Sequence, residues 1–189
     1  MILPIIGFGH PTLRKTAQPI EADYPDLQQL IDNMFETMYA AEGVGLAAPQ
    51  VDLPIQLVVI GYREYDEKKK EYVGDPIERT LINPVIVEAK GEMQYYNEGC
   101  LSVPNIHEDV LRPECVVVKY YDRNFELQTE EMTDLLARIA QHEIDHLNGK
   151  VFVDRLSPLK RTLLKRKLND IVSGKAQTGY RMKYVSRKK

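Results

Sequence analysis

The chain has 189 residues, of which 43% are hydrophobic and 28% are charged, a composition typical of one soluble globular domain. Its only two cysteines, Cys100 and Cys115, exclude a disulfide-stabilised scaffold and indicate a reducing compartment. The net charge of −3 is unevenly distributed: residues 155–189 contain 12 basic residues and one acidic residue, and such a basic end can mark contact with a polyanion.

The N-terminal sequence contains no recognisable targeting segment. It has no basic region followed by a long apolar run, as a signal peptide would have, and it lacks the Arg-rich character of a transit peptide. No apolar run in the chain reaches the roughly 18 residues that a membrane helix needs. We therefore expect a cytoplasmic protein of a bacterium-like cell, with no membrane contact.

The first helix is predicted to follow an irregular N-terminal segment, residues 1–24, which is punctuated by prolines. From Pro25, apolar residues recur at spacings of three and four until Gly43 ends the helix. The next segment, 43–50, reads GVGLAAPQ, and Pro49 makes a stable helix there unfavourable. We predict a tightly packed loop whose glycines let the backbone approach another group closely.

Three strands are predicted in succession, at 57–60, 81–87 and 115–121, from their runs of β-branched and aromatic residues. Pro84 places the second strand at an edge or a bulge. The charged segment 63–76 between the first two strands is predicted to be a surface hairpin or loop. Because no helix separates the strands, the pattern favours an antiparallel sheet.

Two further helices are predicted in the C-terminal third. One is expected to begin with Thr129 as its cap and with Glu130 and Glu131 in its first turn, where the helix dipole favours acidic side chains. The other opens at Ser157 and is apolar on one side and basic around the rest. The fold class is therefore α+β, with antiparallel sheets around a central helix, an additional C-terminal helix, a single catalytic domain (1–174) and a frayed basic tail (175–189).

The central helix carries the motif His-Glu-x-x-His at residues 142–146. Two histidines four residues apart on a helix point the same way and can bind one metal ion, while Glu143 can act on a water molecule beside it. The apolar stripe of the helix continues onto these residues. Three buried polar side chains without a shared purpose would be costly, so the pattern favours a metal site over three separate core residues.

A hydrolytic metal site needs a third protein ligand. Phe152 occupies the position of the third histidine of one protease type, and no glutamate follows His146 to complete another. The upstream candidates are His10, Cys100, His107 and Cys115. Cys115 begins an apolar strand and is expected to be a core thiol, and the two histidines lie in loops. Cys100 follows a glycine that permits close approach, so we choose it as the third ligand.

Three segments together resemble the signature motifs of peptide deformylases in order and spacing. They are GVGLAAPQ at 43–50, EGCLS at 98–102 and HEIDH at 142–146. The resemblance extends from about residue 5 to about residue 170. It implies hydrolytic removal of the formyl group from the N-terminal formylmethionine of newly synthesised proteins, with release of formate.

The resemblance also implies roles for individual residues. The metal ligands would be Cys100, His142 and His146, with water at the fourth position. The catalytic residues would be Glu143 as general base, Gln50 and the backbone N–H of Leu101 as oxyanion donors, and Gly45. Substrate contacts would come from Gly43, Val44, Gly45, Leu46, Gly99 and His107. His107 stands where many family members carry arginine, which affects substrate preference but not the reaction.

The donor set of one thiolate and two imidazoles is compatible with Zn²⁺, Ni²⁺, Co²⁺ or Fe²⁺. The family resemblance implies Fe²⁺ as the native ion. The residues themselves do not choose among these metals.

Four residues near the motifs have open roles. Glu98 and Arg112 are equally compatible with an ion pair behind the site and with two solvated charges. Asp145 is expected on a solvated helix face, with a supporting hydrogen bond as the alternative. Ser102 is expected to brace its own loop.

Two other functions remain as alternatives. One is a zinc endopeptidase, which the failure to find a downstream ligand disfavours. The other is a nonenzymatic protein that binds RNA or the ribosome through its basic C-terminal helix and tail. A ribosome contact is also compatible with the enzymatic function, because nascent chains emerge from ribosomes.

Overall fold

The computed structural model describes residues 1–66 and 68–185. It contains three α-helices: α1 (Leu27–Ala40), α2 (Asp134–Leu147) and α3 (Pro158–Val172). The strands are β1 (Ile5–Ile6), β2 (Gly45–Ala47), β3 (Leu57–Asp66), β4 (Glu71–Cys100), β5 (Val103–Tyr121), β6 (Leu127–Thr133) and β7 (Met182–Lys183). Short 3₁₀-helices span Pro11–Arg14, Ala48–Val51 and Phe152–Arg155.

The main sheet has five antiparallel strands in the order β2-β3-β4-β5-β6. All the neighbours in this sheet are consecutive in the chain, so hairpins and short connections suffice to form it. A separate two-stranded parallel sheet joins β1 to β7. The predicted α+β class with an antiparallel sheet is confirmed, while the small parallel pair was not predicted.

The central helix α2 is buried between the main sheet and the C-terminal part of the chain. From Ala137 to Leu147, every residue of α2 is buried. Its apolar residues Ala137, Ile139, Ala140 and Ile144 share a core cluster with strand residues such as Val116. The apolar packing fixes the orientation of the helix and therefore of its polar residues.

The predicted start of the central helix is wrong. Thr129, Glu130 and Glu131 lie in β6, where they pair with residues of β5. α2 begins only at Asp134, after Thr133 as N-cap. Acidic residues after a threonine suit a helix start, but here they alternate between solvent and sheet, and pairing with β5 outweighs that local preference.

The GVGLAAPQ segment is more ordered than the predicted loop. Residues 45–47 form β2, which pairs with β3, and Ala48–Val51 form a 3₁₀-helix. The irregularity at Pro84 is confirmed, because the register of β4 against β5 shifts between Ile82 and Val85. The predicted surface hairpin at 63–76 joins β3 to β4, although Glu67 lies outside the described residues.

The prediction of a frayed tail is wrong for residues 175–185. Met182 and Lys183 pair with Ile5 and Ile6, and Lys183 forms an ion pair with Asp52. The last part of the predicted tail, 186–189, lies outside the described residues. The division into a domain at 1–174 and a tail at 175–189 stays a prediction. Among the described residues, no helix has the length and apolar character needed to cross a membrane.

Candidate metal centre

The chain brings together one cysteine from the sheet and two histidines from α2. Cys100 ends β4 just before the tight turn into β5, and His142 and His146 lie one helical turn apart. One potential ligand atom from each residue lies within 4.8 Å of the others. Cys100 Sγ and His146 Nε2 are 3.3 Å apart. Cys100 is thus the third member of the cluster, as predicted.

The other three candidate ligands lie elsewhere. His10 caps the 3₁₀-helix at Pro11–Arg14 and approaches Asp52. Cys115 is buried in β5, as expected for a core thiol. His107 contacts Gly99, where an added Cβ would lie 2.6 Å from the imidazole.

The cluster fits a metal ion by its donor chemistry and by the polar atoms around it. A thiolate and two imidazoles form a donor set for Zn²⁺ and related divalent ions. Within the described part of the chain, Glu143 Oε2 and His146 Nδ1 are buried without a hydrogen-bond partner. Such atoms are rare in folded proteins. The unpartnered carboxylate oxygen beside the cluster therefore indicates a site built for a further polar group.

The pKa values of the two histidines are shifted in opposite directions. Burial lowers the pKa of His142, but Cys100 and Glu98 outweigh it and raise that pKa to about 10. Burial together with His142 lowers the pKa of His146 well below its ordinary value. Metal ligation needs neutral imidazoles and a thiolate, so metal loading would compete with the proton on His142 and release protons.

Glu143 is buried between α2 and β2. An added Cβ at Gly45 would lie 2.6 Å from Glu143 Oε1, so glycine is needed there for the carboxylate to fit. Burial raises the pKa of Glu143 to about 7. A group that titrates near neutral pH is suited to accept a proton and return it.

Glu98 holds His142 in place. His142 Nδ1 donates to Glu98 Oε2 at 2.9 Å, which leaves Nε2 to face the cluster. Arg112 donates to Glu98 through Nε at 2.7 Å and Nη2 at 2.9 Å. Burial raises the pKa of Glu98, but the hydrogen bonds from His142 and Arg112 prevail and lower it to about 2. A carboxylate in this position fixes the tautomer and the orientation of a ligating histidine.

Arg112 is the centre of a buried ionic network. It is 0% exposed and bridges Glu98 to Asp145, whose Oδ2 lies 2.7 Å from Arg112 Nη1. Arg155 binds the same Asp145, and Arg138 binds Glu98. The Glu98–Arg112 pair is confirmed. The expectation that Asp145 is solvated is wrong, because the network buries it below the metal ligands.

Gln50 is held rigidly beside Cys100. Its Oε1 accepts from the Ala47 N–H at 2.8 Å. Its Nε2 donates to Ser102 Oγ at 3.3 Å and points at Cys100 Sγ at 3.5 Å. Ser102 thus joins its turn to the Gln50 segment, whereas it was expected to brace its own loop. The amide of Gln50 contacts the two residues that flank Leu101 in the chain.

A cleft of about 840 Å³ opens onto this cluster. The predicted site residues that line it are Gly43, Val44, Gly45, Gly99, Cys100, Leu101, His107, His142 and Glu143. Gln50 and His146 are buried beneath its floor. Leu46 does not line the cleft, because its side chain packs in the core with α1.

Sequence reasoning missed several residues of the cleft. These are Tyr96, Asn105, Leu135, Arg138, Ile139 and the segment 177–180. Leu135 and Ile139 belong to the apolar stripe of α2, about two turns and one turn before the motif, and that spacing could have identified them. No pattern in the sequence marks Arg138 or Tyr180, whose positions depend on contacts between distant segments.

The chain is similar to known proteins in both sequence and fold. Residues 2–162 match the family model "Polypeptide deformylase". A peptide deformylase of Christiangramia forsetii is 46% identical, with 100% of this chain and 99% of the relative covered. A crystal structure of a peptide deformylase from Legionella pneumophila has a TM-score of 0.79 and 43% identity over 94% of this chain and 99% of that chain. A Met-Ala-Ser-bound class I type b peptide deformylase from Acinetobacter baumannii has a TM-score of 0.75 and 36% identity over 82% and 99%.

Proposed function

Because the chain belongs to the polypeptide deformylase family, we infer that it hydrolyses the formyl group from the N-terminal formylmethionine of newly synthesised proteins and releases formate. One structural observation links this activity to particular residues of the chain. Cys100 and His142, which cluster with the buried His146, line a cleft together with the carboxylate of Glu143. We further propose a cytoplasmic location, since nascent proteins are made there.

Cys100, His142 and His146 would bind the metal ion, which when bound supplies a Lewis acid that polarises the formyl carbonyl. We propose Fe²⁺ as the native ion, because the family resemblance implies it. The same donors accept Zn²⁺, Ni²⁺ or Co²⁺. Metal analysis of active protein purified without oxygen would identify the ion. If that protein contained zinc and no iron, the assignment of Fe²⁺ as the native ion would be rejected.

Glu143 is the proton carrier of the reaction. Its carboxylate takes a proton from the attacking water as the new C–O bond forms. It then transfers a proton to the methionine nitrogen as the C–N bond breaks, which yields formate and a free amine. The pKa near 7 and the unpartnered Oε2 atom support this role.

The formyl oxygen gains negative charge in the transition state, and donors on this side of the cleft would stabilise it. Gln50 Nε2 and the backbone N–H of Leu101 are proposed for this task. The hydrogen bond from Ala47 N–H to Gln50 Oε1 fixes which end of the amide faces Cys100. The donor is therefore oriented before the substrate arrives.

Substitution of Gln50 by leucine is expected to lower kcat by about 10²–10³, the usual cost of removing one oxyanion donor. The buried side chain is replaced by one of similar size, and metal content should stay at the level of the unmodified protein. An assay of formate release measures kcat, and metal analysis measures the metal content. A kcat within threefold of the unmodified protein would contradict the role of Gln50.

The substrate would bind along the free edge of β2. Among the described residues, β2 lies at one edge of the main sheet and pairs with β3 alone. Addition of an extended peptide to the other side supplies backbone hydrogen bonds. Gly43, Val44 and Gly45 would contact it on this side, with Gly99 and His107 opposite. The Acinetobacter baumannii relative, which is described as Met-Ala-Ser-bound, supports a methionyl peptide as ligand.

The assignment is tested with a peptide that contains formylmethionine followed by several internal peptide bonds. Formate and one free amine per molecule are expected, with every internal bond intact. Internal cleavage without formate would instead support the endopeptidase alternative. A peptide with an acetyl group in place of the formyl group serves as the matched control.

We also propose that α3 contacts the ribosome. Arg161, Lys165, Arg166 and Lys167 are exposed on this helix, and none forms an ion pair within the described part of the chain. Leu159 and Leu163 are 70% and 75% exposed on the same helix. Exposed cations beside apolar side chains suit a surface made of RNA and protein.

Replacement of Lys165 and Arg166 by glutamate is expected to reduce cosedimentation with ribosomes at least tenfold while activity on free peptides is retained. Charge reversal of Lys68 and Lys69, in the β3–β4 turn, is the matched control. Truncation after Gly174 does not test this contact, because it leaves α3 in place and removes the packed segment 175–185. Unchanged cosedimentation of the α3 variant would reject the contact.

A further inference from the structure

The segment 175–185 follows α3 and returns to the metal cleft. It lies beyond residue 162, where the match to the family model ends. Its far end is anchored by the pairing of β7 with β1. Its near end is anchored by Asn105, whose Nδ2 donates to the Gln177 carbonyl at 3.0 Å. Between these anchors, Gln177, Thr178, Gly179 and Tyr180 line the cleft.

Tyr180 connects this segment to the turn between β4 and β5. Its hydroxyl donates to the backbone carbonyl of Leu101 at 2.8 Å. Its ring is half-buried and packs against the core cluster that includes α1. The ring is therefore held in place, and the hydroxyl has a defined partner in the residue whose N–H is proposed as an oxyanion donor.

In the turn at Leu101 and Ser102, two polar groups of Ser102 have hydrogen-bond partners in other segments. The Ser102 carbonyl accepts from the Phe8 N–H at 2.8 Å, and Ser102 Oγ accepts from Gln50 Nε2. The Leu101 carbonyl receives its hydrogen bond from Tyr180. Without that bond, the Leu101 carbonyl would lose the contact that ties it to the C-terminal segment. Because an oxyanion donor works through a fixed orientation, loss of this bond would loosen the donor.

We propose that Tyr180 is a positioning residue that orients Leu101 for stabilisation of the oxyanion, and that the C-terminal segment is thus part of the active site. This inference rests on the proposed deformylase function. It assigns to the segment 175–185 a task in the reaction itself. Tyr180 acts through Leu101 and does not touch the reacting atoms.

The test is substitution of Tyr180 by phenylalanine, which keeps the ring and removes the hydroxyl. A neutral hydrogen bond of this kind corresponds to about a threefold to tenfold change. We expect kcat to fall by about that factor, with KM for a short formylmethionyl peptide and metal content unchanged. The matched control is Tyr184→Phe, whose hydroxyl donates to the Ala176 carbonyl within the same segment. That variant should keep the kcat of the unmodified protein.

Each outcome decides the inference. A kcat equal to that of the unmodified protein, or an equal loss in Tyr184→Phe, would overturn it, because the hydroxyl would then serve only to hold the segment. A rise in KM with kcat unchanged would also overturn it. Failure of the unmodified protein to release formate would instead refute the proposed function. The two failures are therefore distinguishable in one set of assays.

Discussion

Replacement of Glu143 by glutamine is expected to lower kcat for formate release by about 10²–10⁴, the typical contribution of a general acid–base group. Glutamine has nearly the same shape but cannot accept the proton from water. It also fits the space that Gly45 leaves beside the carboxylate. The loss should therefore be chemical and not structural.

Metal content and thermal stability distinguish a chemical cause of the lost activity from a structural one. Glu143 is not a member of the Cys100–His142–His146 cluster, so the Glu143→Gln protein should retain one metal ion per chain. The control is Glu42→Gln, because Glu42 lines the same cleft but is exposed. It should keep activity close to that of the unmodified protein. Activity of Glu143→Gln within tenfold of normal would refute the mechanism.

Replacement of Arg112 by methionine is expected to lower the free energy of unfolding by about 3–5 kcal/mol, the cost of breaking a buried ion pair by removing one partner. Arg112 is completely buried between Glu98 and Asp145. Methionine fills much of the space but leaves two buried carboxylates with fewer cations. Because domains of this kind are stable by about 5–15 kcal/mol, the loss is large.

Urea unfolding of the metal-free protein measures this effect, and metal titration measures a second one. Since Glu98 orients His142, loosening Glu98 should weaken metal affinity by about 10–100-fold. The matched control is Arg123→Met, which removes an ion pair to Asp32 between two exposed side chains. That change should cost less than about 1 kcal/mol. Equal losses of unfolding free energy in the two variants would show that Arg112 contributes no more to stability than an exposed arginine does.

The buried network determines which carboxyl groups near the site are held in the ionised form. Glu98 and Asp145 face Arg112, and both carboxyl groups have a lowered pKa despite their burial. Glu143, which has no such cation in hydrogen-bond contact, has a raised pKa. Helix α2 therefore carries two different carboxyl groups. Asp145 is kept ionised by its cationic partners, and Glu143 has a pKa of about 7. Their different partners, and not their residue type, determine this difference.

Spacing along the chain was sufficient to identify the metal ligands. His142 and His146 are four residues apart, so they share one face of any helix that contains them. The glycine before Cys100 indicated that the backbone there comes close to another group. The antiparallel sheet was also predictable, because its strands follow one another without intervening helices. In contrast, the prediction placed the start of α2 too early. Thr129 and the acidic residues after it suit the N-terminus of a helix and an edge strand equally well. Their pairing with β5 depends on residues ten or more positions away.

The sequence by itself determined the metal-binding motif, its third ligand and the α+β class, because these follow from local periodicity and from residue chemistry. Only the tertiary structure decided that Asp145 is buried, that Leu46 faces the core, and that Tyr180 reaches Leu101. Each of these depends on contacts between segments far apart in the chain, such as the 79 positions between Leu101 and Tyr180. No local pattern encodes such a contact, because it arises only when the elements pack together.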